Sequence, residues 1–536
     1  MQRPLSPRIL AALLKQSKTS KFTAIRVAGI LLTISGIALL GACGGGGSSA
    51  GVNSNSGNQT GGPVTSRLSG SVADKSGIPV AGVTITVYSN NNNTAVTTTT
   101  DSNGRYSVAG MNTGNNSDYS IYAEKAGFGF YPSSGDAAGT VGRDDFNGYY
   151  RTVLRFLTMP AHDVPSASFT ASRSGDKMAS LPRTGQTTSY LGGDDGSAQK
   201  GVAWPGTRFT DNANGTVTDH LSGLVWLKNA GCFSPTDWST ALNAANRLAS
   251  GACGLTDGST AGTWRMPNAN ELESLVDVAH ANPALSAGSS FSNINLGNAY
   301  WSSTTYAAGP GNAMAIRFSD GRWINGAEGG GGSFDNAKAT SSNSLWAVKS
   351  GGTGAVALLA TGAFSGQGGG AGVSFGTGDD ASLQLGVPFP SPRFIDNGDG
   401  TVADTATGLT WLRKADCIHQ SWPGALAAIN GLASGQCGLA DGSSAGQWRM
   451  PNRSEMLSLS DRAPTFPQAN YFNGIPGPDG VTVTSPVSFN HFVVSDYYWT
   501  STTSAADTTQ AWTIYSCDFG VYNIPKSDTR YALAVR

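Results

Sequence analysis

One long pattern occurs twice in this chain, the second copy about 185 residues after the first. Gly193-Asp194-Asp195 returns as Gly378-Asp379-Asp380, and Arg208-Phe209 as Arg393-Phe394. Gly223-Leu224-Val225-Trp226-Leu227 becomes Gly408-Leu409-Thr410-Trp411-Leu412, and Trp264-Arg265-Met266-Pro267-Asn268 becomes Trp448-Arg449-Met450-Pro451-Asn452. Tyr300-Trp301-Ser302-Ser303-Thr304-Thr305 is matched by Tyr498-Trp499-Thr500-Ser501-Thr502-Thr503. Each copy runs to roughly 150 residues, far beyond the 20–50 of a solenoid unit. A segment of that length can bury a core of its own. The expectation is two globular modules in tandem, each packed independently.

The N-terminal region points to export. Six basic residues (Arg3, Arg8, Lys15, Lys18, Lys21 and Arg26) precede an uncharged stretch from Val27 to Ala42, and no acidic residue occurs before Asp74. The stretch is shorter than the roughly 20 residues needed to cross a bilayer. Leu40-Gly41-Ala42-Cys43 resembles a bacterial lipobox, so residues 1–42 are expected to be a lipoprotein signal peptide and Cys43 the lipidated residue. More than one acyl chain on Cys43 would make the anchoring stable. Glycine rather than aspartate after Cys43 implies sorting to the outer membrane. Residues 43–66, rich in Gly, Ser, Asn and Thr, are expected to be a flexible tether.

Charge bounds the partners. Removing residues 1–42 takes six of 34 basic residues and none of 35 acidic ones, leaving 28 against 35, a formal −7. A nucleic-acid partner is not expected from a chain with neither a basic excess nor basic runs. Twelve Trp and 20 Phe supply core material, so the 72 glycines indicate many loops rather than disorder.

Cys232 and Cys253 in the first copy, and Cys417 and Cys437 in the second, recur at nearly the same spacing among the same neighbours. One disulfide per module is expected, in keeping with an oxidising compartment. A zinc site would need more ligands; His419 lies near Cys417, but the first copy has no matching histidine. Cys517 is left over, a small core residue or a thiol for intermolecular pairing.

Between tether and repeats, Ile78 to Val87 ends in period-two alternation, Val96 to Thr100 is largely β-branched, and Asp101-Ser102-Asn103-Gly104 is a turn signal into Arg105-Tyr106-Ser107-Val108. Short strands with turns every ten or so residues predict a β-sandwich. The pattern resembles the carboxypeptidase regulatory-like (prealbumin-like) domain, which implies a spacer over 67–160, with further strands near Tyr119–Glu124 and Thr152–Met159. Residues 161–189 are expected to link it to the first repeat.

Within each repeat, Asp211 to Gly215 and Asp396 to Gly400 read as hairpin turns; the alternating oxygens of a calcium loop are missing. Trp238, Leu242, Ala245 and Ala249, like Trp422, Leu426, Ile429 and Ala433, form one apolar helix face, with Gly251 and Gly435 as stops. Asn268 with Glu271, and Asn452 with Glu455, predict capping boxes after a proline. Capping accounts for that Asn and Glu, and pairing with the Glu accounts for Arg265, without invoking catalysis.

Taken together, the Arg-Phe, Gly-Leu-x-Trp-Leu, Cys-Gly-Leu-x-Asp-Gly, Trp-Arg-Met-Pro-Asn and Tyr-Trp motifs resemble the C-terminal domain of the Legionella collagen-like adhesin. The resemblance implies an α+β fold, with two tandem C-type-lectin-like domains at 190–350 and 376–536 joined by a Gly-rich linker at 351–375, preceded by the all-β Ig/prealbumin-like sandwich. It implies a non-catalytic, surface-displayed, bivalent adhesin whose partner is a glycan or cell-surface ligand. No cofactor, metal or catalytic residue is expected, and the ligand-binding residues and oligomeric state are not evident. Two other readings stay open: a structural envelope protein without a diffusible ligand, and an oxidase of the formylglycine-generating type, which shares the fold but would need reactive cysteines.

Overall fold

Alternating residues build the N-terminal domain. Along Arg105–Asn112, Tyr106, Val108 and Met111 point inward while their neighbours face solvent. The computed structural model describes residues 65–536 apart from 114–116, 136–138, 147–148, 157–158, 160–164, 174–177, 307–308, 325–335, 364–377, 462–491, 494 and 517–518. The leader, Cys43, most of the tether and Cys517 lie outside the described residues.

Among the described residues this domain has nine strands: β1 (Thr65–Asp74), β2 (Thr84–Ser89), β3 (Thr94–Thr99), β4 (Arg105–Asn112), β5 (Tyr119–Glu124), β6 (Phe128–Gly135), β7 (Gly139–Phe146), β8 (Tyr149–Phe156) and β9 (Ala167–Arg173). They make two sheets, ordered β4-β1-β9-β6 and β3-β2-β5-β8-β7, around a core that includes Leu68, Val72, Ile85, Ile121, Phe130 and Phe169. The alternating end of Ile78 to Val87 is strand β2 from Thr84, as expected; before it Pro79 lacks an N–H and Gly82 turns the chain at φ +65°. Part of the expected linker is sheet: β9 pairs in parallel with β1 and antiparallel with β6.

The first repeat contains α1 (Asp195–Ala198), β10 (Phe209–Asp211), β11 (Thr216–Asp219), β12 (Val225–Leu227), α2 (Trp238–Arg247), α3 (Ala269–Leu275), β13 (Tyr300–Thr305), β14 (Ala313–Ile316), β15 (Trp323–Ile324) and β16 (Val348–Lys349). The second contains α4 (Asp380–Leu383), β17 (Phe394–Asp396), β18 (Thr401–Asp404), β19 (Thr410–Leu412), β20 (Ile418–Gln420), α5 (Trp422–Asn430), α6 (Arg453–Ser458), β21 (Tyr497–Thr503), β22 (Gln510–Tyr515), β23 (Val521–Pro525) and β24 (Arg530–Ala532). The described residues are thus mostly β, and the longest helix among them has ten residues. The Asp/Asn/Gly clusters turn β10 into β11 and β17 into β18.

Trp238, Leu242 and Ala245 are buried along α2, and Trp422, Leu426 and Ile429 along α5. Both helices end before Ala249 and Ala433. Leu248 leaves α2 in an extended conformation and stays buried, and Gly251 and Gly435 turn the following loop at φ +97° and +93°. Both capping boxes are complete. Arg265 and Arg449 each grip the capping glutamate through two 2.6 Å hydrogen bonds.

The repeats are not independent heads. One continuous apolar cluster contains Trp226, Trp264, Leu275 and Trp346 of the first together with Trp411, Met456, Trp512 and Leu533 of the second. The described residues belong to one compact unit. The sandwich is docked as well: Phe130 pairs with Ser391, and the Ser172 hydroxyl donates to the Thr405 carbonyl. Gly129 permits this approach, since a Cβ there would lie 2.8 Å from the Thr405 hydroxyl.

Candidate functional site at the junction of the repeats

The short turns that open the repeats are exchanged. Asp194 caps α1 and Asp379 caps α4, each accepting a backbone N–H three residues on. The next residue in each turn reaches into the other repeat. Asp195 Oδ2 accepts from the Thr184 hydroxyl at 2.6 Å and from Thr502 of β21 at 2.7 Å. Asp380 Oδ2 accepts from Thr361 and from Thr304 of β13, both at 2.6 Å. Asn268 donates to the Leu385 carbonyl, and Asn452 reciprocates to Lys200. This is the self-complementary arrangement of a two-fold interface, formed within one chain.

The exchange explains the hydroxyl-rich strands. Every residue of β13 is buried, and a buried hydroxyl needs a partner. Ser302 donates to the Met314 carbonyl and Thr304 to Asp380, while Thr304 also receives the Ala269 N–H at the start of α3. Thr500 and Thr502 do the same in the second repeat, the latter receiving the Arg453 N–H. Burial pushes the carboxyls of Asp195 and Asp380 up to about 6, with the threonine hydroxyls pulling the other way.

The structure also shows that each repeat begins earlier than expected. Leu181-Pro182-Arg183-Thr184-Gly185 and Leu358-Leu359-Ala360-Thr361-Gly362 occupy equivalent places. They make matching bridges, Pro182 to Val202 and Leu359 to Val387. Gly185 (φ +96°) abuts the Asp277 carboxylate, and Gly362 (φ +85°) abuts that of Asp461. These arms are offset by 177 rather than 185 residues. That change of spacing hid them, although the recurring Thr-Gly was a usable signal.

Between the arms lies a cleft of about 80 Å³, open to solvent. Its lining obeys the same pseudo-symmetry: Trp204 is matched by Phe389, Leu181 by Leu358, and Ser274 by Ser458. Arg208 stacks on Trp204 at 4.2 Å and Arg393 on Phe389 at 4.5 Å, stiffening both aromatic walls. Each guanidinium is held in turn by Asp219 or Asp404. The symmetry fails in polarity, because Glu273 stands opposite Leu457 and Ser460 opposite Val276.

The expected site residues are distributed as follows. Cys232 and Cys253 are bonded (Cα–Cα 5.6 Å), as are Cys417 and Cys437 (5.7 Å). Neither bond lines the cleft. His419 stacks on Tyr531. Among the described residues no cluster of His, Cys, Asp and Glu could hold a metal ion, and no helix is long and apolar enough to cross a membrane.

Fold and cleft together define a class: a β-sandwich fused to a β-rich tandem repeat with a cleft at the internal two-fold. The Lcl C-terminal domain model matches residues 215–349 and 400–536, just over half of the chain, and the chain belongs to that family. The carboxypeptidase regulatory-like domain model matches residues 67–136. Both families are of non-catalytic type, and the Lcl-type repeats point to a surface or adhesion role. No curated protein matches the chain. Among solved structures, invasin, a bacterial integrin-binding protein, aligns over 87% of this chain and 94% of its own at 11% identity and a TM-score of 0.13, which carries no argument about fold or ligand.

Proposed function

We propose that the chain is a non-catalytic adhesin, displayed on the outer membrane through lipid on Cys43, that binds a glycan or cell-surface ligand through its fused repeats. The observation that carries this reading is the cleft at the pseudo-two-fold, assembled from both copies of an adhesin-type domain and walled by Trp204 and Phe389. Concave sites lined by apolar and aromatic side chains with a few polar groups are the usual form of ligand sites. We read each repeat as C-type-lectin-like, with the sandwich as the spacer that lifts the pair from the membrane. Bonding of Cys232 to Cys253 and of Cys417 to Cys437 removes the thiols that oxidase chemistry would require. Because the repeats share a core, avidity between two hinged heads is no part of this reading.

The test is surface labelling of intact cells combined with a cell-adhesion assay and a glycan array on the full-length protein. Labelling from outside, metabolic incorporation of fatty acid that is lost in Cys43→Ser, and adhesion that falls in a deletion strain are the expected results. Silence in both adhesion and array would leave the structural envelope reading in its place.

A further inference from the structure

The cleft has a polar group with nothing to bind. Ser460 is 5% exposed and lines the cavity, yet its hydroxyl has no hydrogen-bond partner among the described residues. The Nε–H of Arg183, also in the lining, is buried and unpartnered, although the same guanidinium donates to Gln199 from Nη1. A buried polar group left without a partner costs roughly 1–3 kcal/mol, so an occupant that supplies oxygen atoms would relieve both groups.

The charge of that occupant follows from the lining. Glu273 is already bound by Arg453 through two hydrogen bonds and receives the Trp323 indole N–H. Arg183 is half engaged by Gln199. Its guanidinium has no carboxylate partner among the described residues, so an acidic group on the ligand would be compensated, whereas a second cation would be desolvated without compensation. The walls, by contrast, are Trp204, Phe389, Leu181 and Leu358, which favour a ligand with a flat apolar face. A hydrocarbon would cover them but leave Ser460 and Arg183 unpaired.

We propose that the cleft binds a sugar ring, uncharged or carrying an acidic group, its C–H face against Trp204 or Phe389 and its oxygens meeting Ser460 Oγ and Arg183 Nε. This deepens the adhesin reading and rests on it for biological meaning, but not for its test.

The experiment titrates the full-length protein with uncharged saccharides (maltotriose, cellobiose, lactose and diacetylchitobiose) and with glucuronic acid, read by intrinsic tryptophan fluorescence and by calorimetry. At least one should bind in the millimolar range with a fluorescence change that Trp204→Phe abolishes. Ser460→Ala should weaken that binding about fivefold, the effect of one lost hydrogen bond, without lowering the melting temperature, since nothing in the fold uses the hydroxyl. Ser454→Trp, placed in the lining, should abolish binding; should that variant misfold, Ser460→Ala still decides. No calorimetric heat with any saccharide, binding indifferent to both Ser460→Ala and Trp204→Phe, or uptake of only an apolar dye such as anilinonaphthalene sulfonate would each overturn the proposal. Adhesion that persists in a well-folded Ser454→Trp protein would sink the cleft while sparing the adhesin. Saccharide binding in a protein that adheres to nothing would do the reverse.

Discussion

The guanidinium of Arg453 in the second repeat holds the carboxylate of Glu273 in the first, Nε to Oε1 and Nη2 to Oε2, both at 2.9 Å. Arg453 is 1% exposed, lies 4.4 Å over the Trp512 ring and also donates to the Gly321 carbonyl. The pseudo-symmetric position holds Leu457 and Ala269 instead. One half of the junction thus uses an ion pair where the other uses apolar packing. Glu273→Leu alone strands a buried cation and should cost roughly 3–5 kcal/mol. Glu273→Leu with Arg453→Ala should recover much of that loss, and chemical denaturation of the three proteins checks the order.

The exchanged aspartates give the junction a pH dependence. Their carboxyls titrate at about 6 when folded, above the ordinary value near 4. The folded protein therefore holds these protons more tightly than the unfolded chain. Their contribution is fully present below about pH 4, falls as pH rises from about 4 to about 6, and stays lost above that. Each site accounts for roughly 2–3 kcal/mol across the window. Asp237, held down to about 2 by hydrogen bonds at the start of α2, acts in the opposite sense at lower pH. The readout is the difference between wild type and Asp195→Asn/Asp380→Asn. The wild type should lose stability relative to the variant between pH 4.5 and 7, and parallel curves would refute the assignment.

Gly362 meets both constraints that require glycine, a φ of +85° and no room for a Cβ beside Asp461. Gly251 meets only the first, with φ +97° and open space around it. Gly251→Ala should cost about 1 kcal/mol from backbone strain alone. Gly362→Ala should cost more and should loosen the arm, seen as faster amide exchange at Thr361 and Ala363.

Each disulfide closes a loop of about 20 residues, Cys232 to Cys253 and Cys417 to Cys437. Replacing one pair with serines should lower stability by roughly 3 kcal/mol. Because the repeats share one apolar cluster, the loss should appear in a single unfolding transition. Two separate transitions would mean that the repeats unfold alone.

Much of each repeat was legible in the chain. Asn268 and Glu271 sit three apart after Pro267, and local hydrogen bonding completes the cap whatever surrounds it. Trp238, Leu242 and Ala245 follow helical spacing, and the cysteine pairs recur with their neighbours. The ends of α2 and α5 were less legible, because a buried Leu248 and a reversing loop end the helix before its apolar periodicity does. Strand β9 was missed because its partners, β1 and β6, lie far away in sequence. The arms at Thr184-Gly185 and Thr361-Gly362 were missed because eight residues of altered spacing broke the repeat.

Duplication, hairpin turns, capping boxes and cysteine pairing are written locally, in spacings that short-range chemistry reads without help. Whether the two copies stand apart or share a core is a different kind of fact. It depends on Thr304 finding Asp380, Thr502 finding Asp195, and Arg453 finding Glu273. The last two contacts join residues 307 and 180 positions apart, and hydroxyl-to-carboxylate pairing leaves no periodic trace. Only the folded chain brings those groups together, and only there do Trp204 and Phe389 line one cavity.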